Sequence, residues 1–163
     1  MKYDEKLILD KLCQMQIAYD YISHPPVFTS DAANQVMPDL IGARCKNLFV
    51  RDRANRKYLL VIPDDKKTDL KYVAAVIGSS RLSFCNEHEM MECLGVSPGS
   101  VTPLAVINDT QNQVVLYIDT AIMNWDTVLC HPMINTATIR ISRDDFEKFI
   151  AATGHEINIR DLA

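Results

Sequence analysis

No run of roughly 18 apolar residues occurs in the sequence, so no membrane-spanning helix and no membrane partner is expected. The opening residues Met1-Lys2-Tyr3-Asp4-Glu5-Lys6 are too polar to begin a secretory segment. Cysteines are few and scattered. Cys13, Cys45, Cys85, Cys93 and Cys130 form no CxxC pair, and such a set without a leader reads as reduced thiols in a cytoplasmic protein. Cys85, His88 and Cys93 lack a fourth ligand, and the His88-to-Cys93 interval fits no common zinc pattern, so neither metal nor cofactor is expected. GxSxG, P-loop, HExxH and GxGxxG motifs are missing too, which removes the familiar nucleophile, nucleotide and zinc-protease chemistries. Internal repeats, low-complexity tracts and linkers are absent, leaving residues 1–163 as a single domain.

What is present suits an ordered domain. Apolar residues make up 48% and charged residues 23%, enough to fill a core and too few charges for a disordered chain. The net charge of −4 argues against wholesale attraction to nucleic acid. Its distribution is uneven, however. Arg44, Lys46, Arg51, Arg53, Arg56 and Lys57 face only Asp52 between positions 44 and 57, and Lys66, Lys67 and Lys71 follow. Such a strip either docks phosphates or forms the solvated face of a strand pair.

Hydrophobic spacing predicts helices over 4–16, 30–37, 68–77, 87–94 and 143–153. Thr29 or Ser30, Thr68, and Ser142 with Asp145 are the expected start signals, and Gly78, Gly95 and Gly154 the stops. Strands are predicted near 19–22, 46–52, 57–63, 81–85, 104–108, 113–118, 127–130 and 136–141. Hairpin-length connections at 53–56 and 109–112 point to an α+β domain with a mixed, largely antiparallel sheet flanked by helices.

Three features can carry chemistry. Lys46, at a strand start beside Asn47, is a cation able to grip a phosphate or polarise an ester carbonyl. The segment Gly95-Val96-Ser97-Pro98-Gly99-Ser100-Val101-Thr102-Pro103 is a shaped loop whose amides can form an anion-binding nest. His131-Pro132 places a histidine on extended backbone, with Asn135 close by as donor and acceptor. His24 also precedes a proline, so the His-Pro pair alone is not diagnostic.

In this order, Lys46-Asn47-Leu48-Phe49 with Arg51-Asp52, the 95–103 loop, and His131-Pro132 with Asn135 resemble the YbaK/prolyl-tRNA-synthetase-associated editing domain family. The nearest branch is its free-standing bacterial members that deacylate alanyl-tRNA(Pro). The likeness runs from the first helix to Gly154-His155. It implies a trans-editing hydrolase acting on the acceptor end of tRNA(Pro), with prolyl-tRNA synthetase as a possible docking partner. Lys46, His131 and the Gly99 backbone would be catalytic. Asn47, Ser97, Pro98, Ser100, Val101, Thr102 and Asn135 would hold the substrate, and Arg44, Arg51, Arg53, Arg56 and Lys57 the tRNA. Where the family often has Phe-Gly, this chain has Leu104-Ala105, an exchange expected to reshape a pocket wall. The same chemistry on cysteinyl- or seryl-tRNA, or tRNA binding without turnover, are the competing expectations.

Overall fold

The computed structural model describes residues 2–27 and 29–163, with Ser30, Ala33 and Asn34 described by their backbone alone. Elements alternate along the chain. Helix α1 (Glu5–Gln14) starts where the Asp4 carboxylate accepts the Leu7 amide and packs Ile8 and Leu12 into the core. Strand β1 (Asp20–Ser23) follows, then α2 (Ser30–Val36), where the Thr29 hydroxyl accepts the Ala32 amide at 3.1 Å.

The hairpin expected around 53–56 forms. Strands β2 (Cys45–Arg51) and β3 (Lys57–Pro63) pair antiparallel, Cys45 opposite Pro63 and Arg51 opposite Lys57. Asn55 takes the left-handed backbone that closes the turn, a conformation asparagine tolerates. Helix α3 (Leu70–Ile77) is capped by Asp69 rather than Thr68. Two-residue β4 (Ser83–Phe84) pairs with the end of β2, and α4 (Glu87–Leu94) begins with a full capping box between Asn86 and Glu89.

The run 104–108 is not a strand. Pro103–Asn108 is a 3-10 helix with the proline in its first turn and the Thr102 hydroxyl accepting the Leu104 amide. Pro103 has no amide for a ladder, and a short buried apolar run has no periodicity that separates strand from helix. The connection 109–112 is therefore no hairpin. It leads into β5 (Val114–Asp119), whose start is held by Asp109 accepting the amides of Gln113 and Val114. Short α5 (Thr120–Met123), β6 (Thr127–Cys130), β7 (Ala137–Ser142), α6 (Arg143–Ala152) and β8 (Ile157–Arg160) complete the chain.

The strands form two sheets. One is antiparallel, ordered β1-β7-β6; the other is mixed, ordered β4-β2-β3-β5-β8, with β3-β5 and β5-β8 parallel. Strand β3 is buried on both faces, because alternate residues serve different cores. Leu59 and Val61 join Ile8, Leu12, Phe49, Leu116, Phe146 and Phe149 in one cluster. Tyr58, Leu60 and Ile62 join Val50, Val73 and Leu82 in the other. Each such side chain contributes on the order of 1.5–3 kcal/mol of burial.

Where the two sheets meet decides where the site lies. Ala43, just ahead of β2, makes a parallel bridge to Val128, with Ala43 N donating to Thr127 O at 2.9 Å and Leu129 N to Ala43 O at 3.2 Å. From that bridge both segments run on in the same direction. Three residues later they have reached Lys46 and His131.

Candidate functional site

A cavity of about 310 Å³ opens beside this junction. Its wall is made by Cys45 to Phe49 of β2, by Pro98, Gly99 and Val101 of the long loop, by His131, and by Val27, Thr29, Phe84 and Met90. Lys46, Asn47, Pro98, Gly99, Val101 and His131, far apart in sequence, thus border one space.

The long loop is fixed at both ends. Gly95 ends α4 at φ +68°, and a Cβ there would stand 2.7 Å from Asn108 Nδ2. That amide donates to Leu94 O at 2.9 Å, while Asn108 Oδ1 accepts from Tyr3 N at 2.7 Å. At the tip, Ser100 N donates to Ser97 O at 3.1 Å across Pro98-Gly99. Gly99, at φ +85°, supplies the positive φ that the third position of a type II turn requires. The turn brings Pro98 and Gly99 to the cavity. Ser97 is exposed, and Ser100 and Thr102 are buried, outside the lining.

Asn47 joins the loop to β2: its Nδ2 donates to Val101 O at 3.1 Å. Its Oδ1 is buried and has no partner among the described residues. Strand alternation sends the Lys46 side chain to the opposite face of β2, where the ammonium donates to the carbonyl of Lys66. His131 is half-buried, and its Nδ1 lies 3.1 Å from the carbonyl of Ala137. A carbonyl only accepts, so Nδ1 carries the proton and Nε2 keeps a lone pair. Burial, joined by the neighbouring His24, holds the imidazolium form of His131 below its ordinary range against the opposing pull of that carbonyl. At neutral pH the ring therefore presents an unprotonated nitrogen.

Thiol chemistry is disfavoured here. Burial pushes the Cys130 thiol up to about 12, and burial with Cys130 nearby pushes Cys45 well above its ordinary range.

Other expected residues lie apart. Asn135 reaches the site region through its backbone carbonyl, which accepts Val27 N at 3.3 Å, and is not in the cavity wall. Leu104 and Ala105 are fully buried in the larger core and do not line the cavity, so the exchange alters packing beneath the loop and not the pocket wall. Arg51, Arg53, Arg56 and Lys57 stand at the hairpin end of β2 and β3, Arg51 about 17 Å along the strand from Lys46. Arg51 and Lys57 both pair with Glu89, the latter at 3.5 Å. Arg56 pairs with Asp52 at 2.9 Å, and Arg53 is exposed. Arg44 donates to the carbonyls of Met37 and Leu40. Sequence reasoning missed Val27, Thr29, Phe49 and Met90 in the wall; the His24-Pro25-Pro26 interruption was the available signal for the first two.

Residues 24–149 match the model of the aminoacyl-tRNA editing domain. The chain is 33% identical over 159 residues to the prolyl-tRNA editing protein ProX of Acetoanaerobium sticklandii, covering 97% of each chain. It is 35% identical over 151 residues to prolyl-tRNA synthetase associated domain-containing protein 1 of Bos taurus, covering 90% of this chain and 88% of that one. A crystal structure of a candidate trans-editing enzyme for prolyl tRNA synthetase superimposes with a TM-score of 0.71 at 18% identity, covering 99% of this chain and 98% of the other, which shows the shared fold. By the family model over residues 24–149 and a relative alike over nearly its whole length, the chain belongs to the aminoacyl-tRNA editing domain family and is an aminoacyl-tRNA deacylase.

Proposed function

We propose that the protein edits in trans, hydrolysing mischarged aminoacyl-tRNA(Pro), with alanine as the amino acid released. The observation that carries this reading is a pair of acceptors in one wall. Asn47 Oδ1 and His131 Nε2 both lack protein donors among the described residues, and the two residues line the same small cavity. The α-ammonium of an aminoacyl ester brings three donors to such a place. Around it, Val27, Phe49 and Val101 offer apolar surface of a size suited to a small side chain. The relative named as a prolyl-tRNA editing protein, alike over nearly the whole chain, supports tRNA(Pro) as the carrier.

The chemistry asks little of the protein, because an aminoacyl ester is already activated. The developing oxyanion needs donors, and the Gly99 amide, at the loop tip in the cavity wall, is suited to that task. Lys46, released from the Lys66 carbonyl, would take the terminal phosphate or the ester carbonyl. His131 Nε2 would accept from the amino group or from the attacking water. Water is the nucleophile, and the neighbouring hydroxyl of the terminal ribose would assist it, so that no nucleophilic side chain is required.

Editing of this kind answers a limit of size discrimination. A synthetase pocket built for proline rejects the smaller alanine by only about 1–3 kcal/mol per missing methylene, and a second, smaller site removes what slips through. The reaction is read by following alanyl-tRNA(Pro) and prolyl-tRNA(Pro) side by side. The expected outcome is rapid loss of alanine with proline retained, abolished in Lys46→Ala. Preferential hydrolysis of cysteinyl- or seryl-tRNA would move the substrate within the family, and tRNA binding without hydrolysis would overturn the catalytic assignment.

A further inference from the structure

Of the segment His24-Pro25-Pro26-Val27 only Val27 borders the cavity, yet the whole segment is fastened to the turn that carries His131. His24 N donates to Thr136 O at 2.9 Å and Val27 N to Asn135 O at 3.3 Å, so the segment lies as a strap along residues 131–136. The His24 ring is buried and held on both sides. Its Nδ1 lies 2.8 Å from the Pro25 carbonyl, so Nδ1 carries a proton, and Nε2 lies 2.9 Å from the Thr138 hydroxyl. The ring centroid stands 6.4 Å from that of His131, with the planes tilted by 60°. Two successive residues of β7 thus hold the two rings, Ala137 through its carbonyl and Thr138 through its hydroxyl.

The turn needs such a hold. Met133, buried within it, has φ +70°, the left-handed region that side-chain-bearing residues avoid. Proline at 132 limits the backbone of His131 but gives no amide with which to tie the turn down. The ties come from the strap instead.

We propose that His24 is a positioning residue for the deacylation: it fastens the 131–136 turn and fixes the His131 ring with Nε2 open to the cavity. The inference rests on the reading of the cavity as the deacylation site. It adds an electrostatic consequence. His24 on the strap stands beside the His131 ring, while Cys45 and Lys46 of β2 share its cavity wall, the Lys46 ammonium turned to the carbonyl of Lys66. No carboxylate lies among the described residues of the cavity wall. A positive charge on His24 therefore opposes one on His131, with no carboxylate in the described cavity wall to offset it.

The test compares wild type with His24→Gln, which reaches the Thr138 hydroxyl but carries no titratable ring. Proton NMR follows the His131 ring with pH, in a chain with only four histidines, and single-turnover deacylation follows the chemistry. In His24→Gln the His131 midpoint is expected to rise by about half a pH unit, since a like charge has gone. The acid limb of deacylation should move with it, while the plateau rate stays within about twofold. Unmoved midpoint and limb, or an equal loss at every pH, would overturn the proposal. A moved midpoint in a protein that deacylates nothing would keep the positioning and reject the deacylation reading. Thr138→Val, close to isosteric, tests the tether separately: about fivefold loss of kcat with KM unchanged is expected, restored by Thr138→Ser. Wild-type kinetics in Thr138→Val would rule the tether out.

Discussion

The two ends of strand β2 are built to opposite plans. At its start, Lys46 and Asn47 border a cavity in which Asn47 Oδ1 and His131 Nε2 have no protein donor among the described residues. At its end, cations and carboxylates are matched. Glu89 takes both Arg51 and Lys57 while closing the capping box of α4, and Asp52 takes the Arg56 guanidinium, the Arg56 amide and the Tyr58 hydroxyl. Burial opposes ionisation of both carboxylates, but these partners outweigh it and hold each below its ordinary range. A group satisfied within the fold stabilises it; a group left unsatisfied beside a cavity is available to a ligand. One strand thereby runs from a cavity wall to a set of matched charges, and the basic strip seen in the sequence is divided between the two.

The sharpest way to break this contrast is to exchange the effects of its two ends. Lys46→Ala is expected to lower kcat/KM for deacylation by about 100-fold or more, the scale of losing an electrostatic stabiliser. Arg51→Ala should change it less than about threefold. Similar losses from both would mean that the hairpin end takes part in catalysis.

Acid separates the ends next. His131 stays neutral until the pH falls below its ordinary value of about 6.5, and activity should decline about tenfold per unit below its folded value. The stability contributed by Asp52 and Glu89 is present above their ordinary values of about 4 and is lost only as pH falls through the lower folded ones. Deacylation should therefore fail while circular dichroism still reports a folded chain. Coincident loss would erase the distinction.

A smaller effect comes from Glu89→Gln, which can keep the capping box and removes the charge. Chemical denaturation should show a loss of about 0.5–1 kcal/mol, with kcat/KM within about twofold of wild type. A gain in tRNA affinity at low salt would instead mark Arg51 and Lys57 as phosphate contacts held in check by Glu89. Smallest is Lys67→Ala, an exposed cation in the segment following β3, beside the carbonyl that receives Lys46. If phosphates run along this end, the slope of log affinity against log salt should fall by about one. An unchanged slope would place the tRNA elsewhere.

Much of the fold was legible because it depends on local signals. Helix α3 stops at Gly78 and α4 at Gly95, and the β2-β3 hairpin turns at 53–56, where sequence places them. The 104–108 run was misread because Leu104 to Val106 are buried whatever their backbone geometry, and only Pro103 and the Thr102 cap select the 3-10 helix. Strand β8 was missed because a four-residue segment near the chain end gives little periodicity. Its identity comes from parallel pairing with β5, more than 35 residues earlier in the chain.

The site divides in the same way. Sequence by itself determined the candidate residues: Lys46 beside Asn47, a loop shaped by Pro98 and Gly99, and His131 before a proline. Those properties belong to single residues and their neighbours. Only the tertiary structure decided which groups share a cavity, leaving Ser97, Ser100, Thr102 and Asn135 outside its wall and adding Val27, Phe49 and Met90. It also decided that His24 stands beside His131 and that Arg51 and Lys57 spend their charge on Glu89. Those relations arise where the bridge from Ala43 to Val128 joins two sheets, a contact between residues 85 positions apart that no local pattern records.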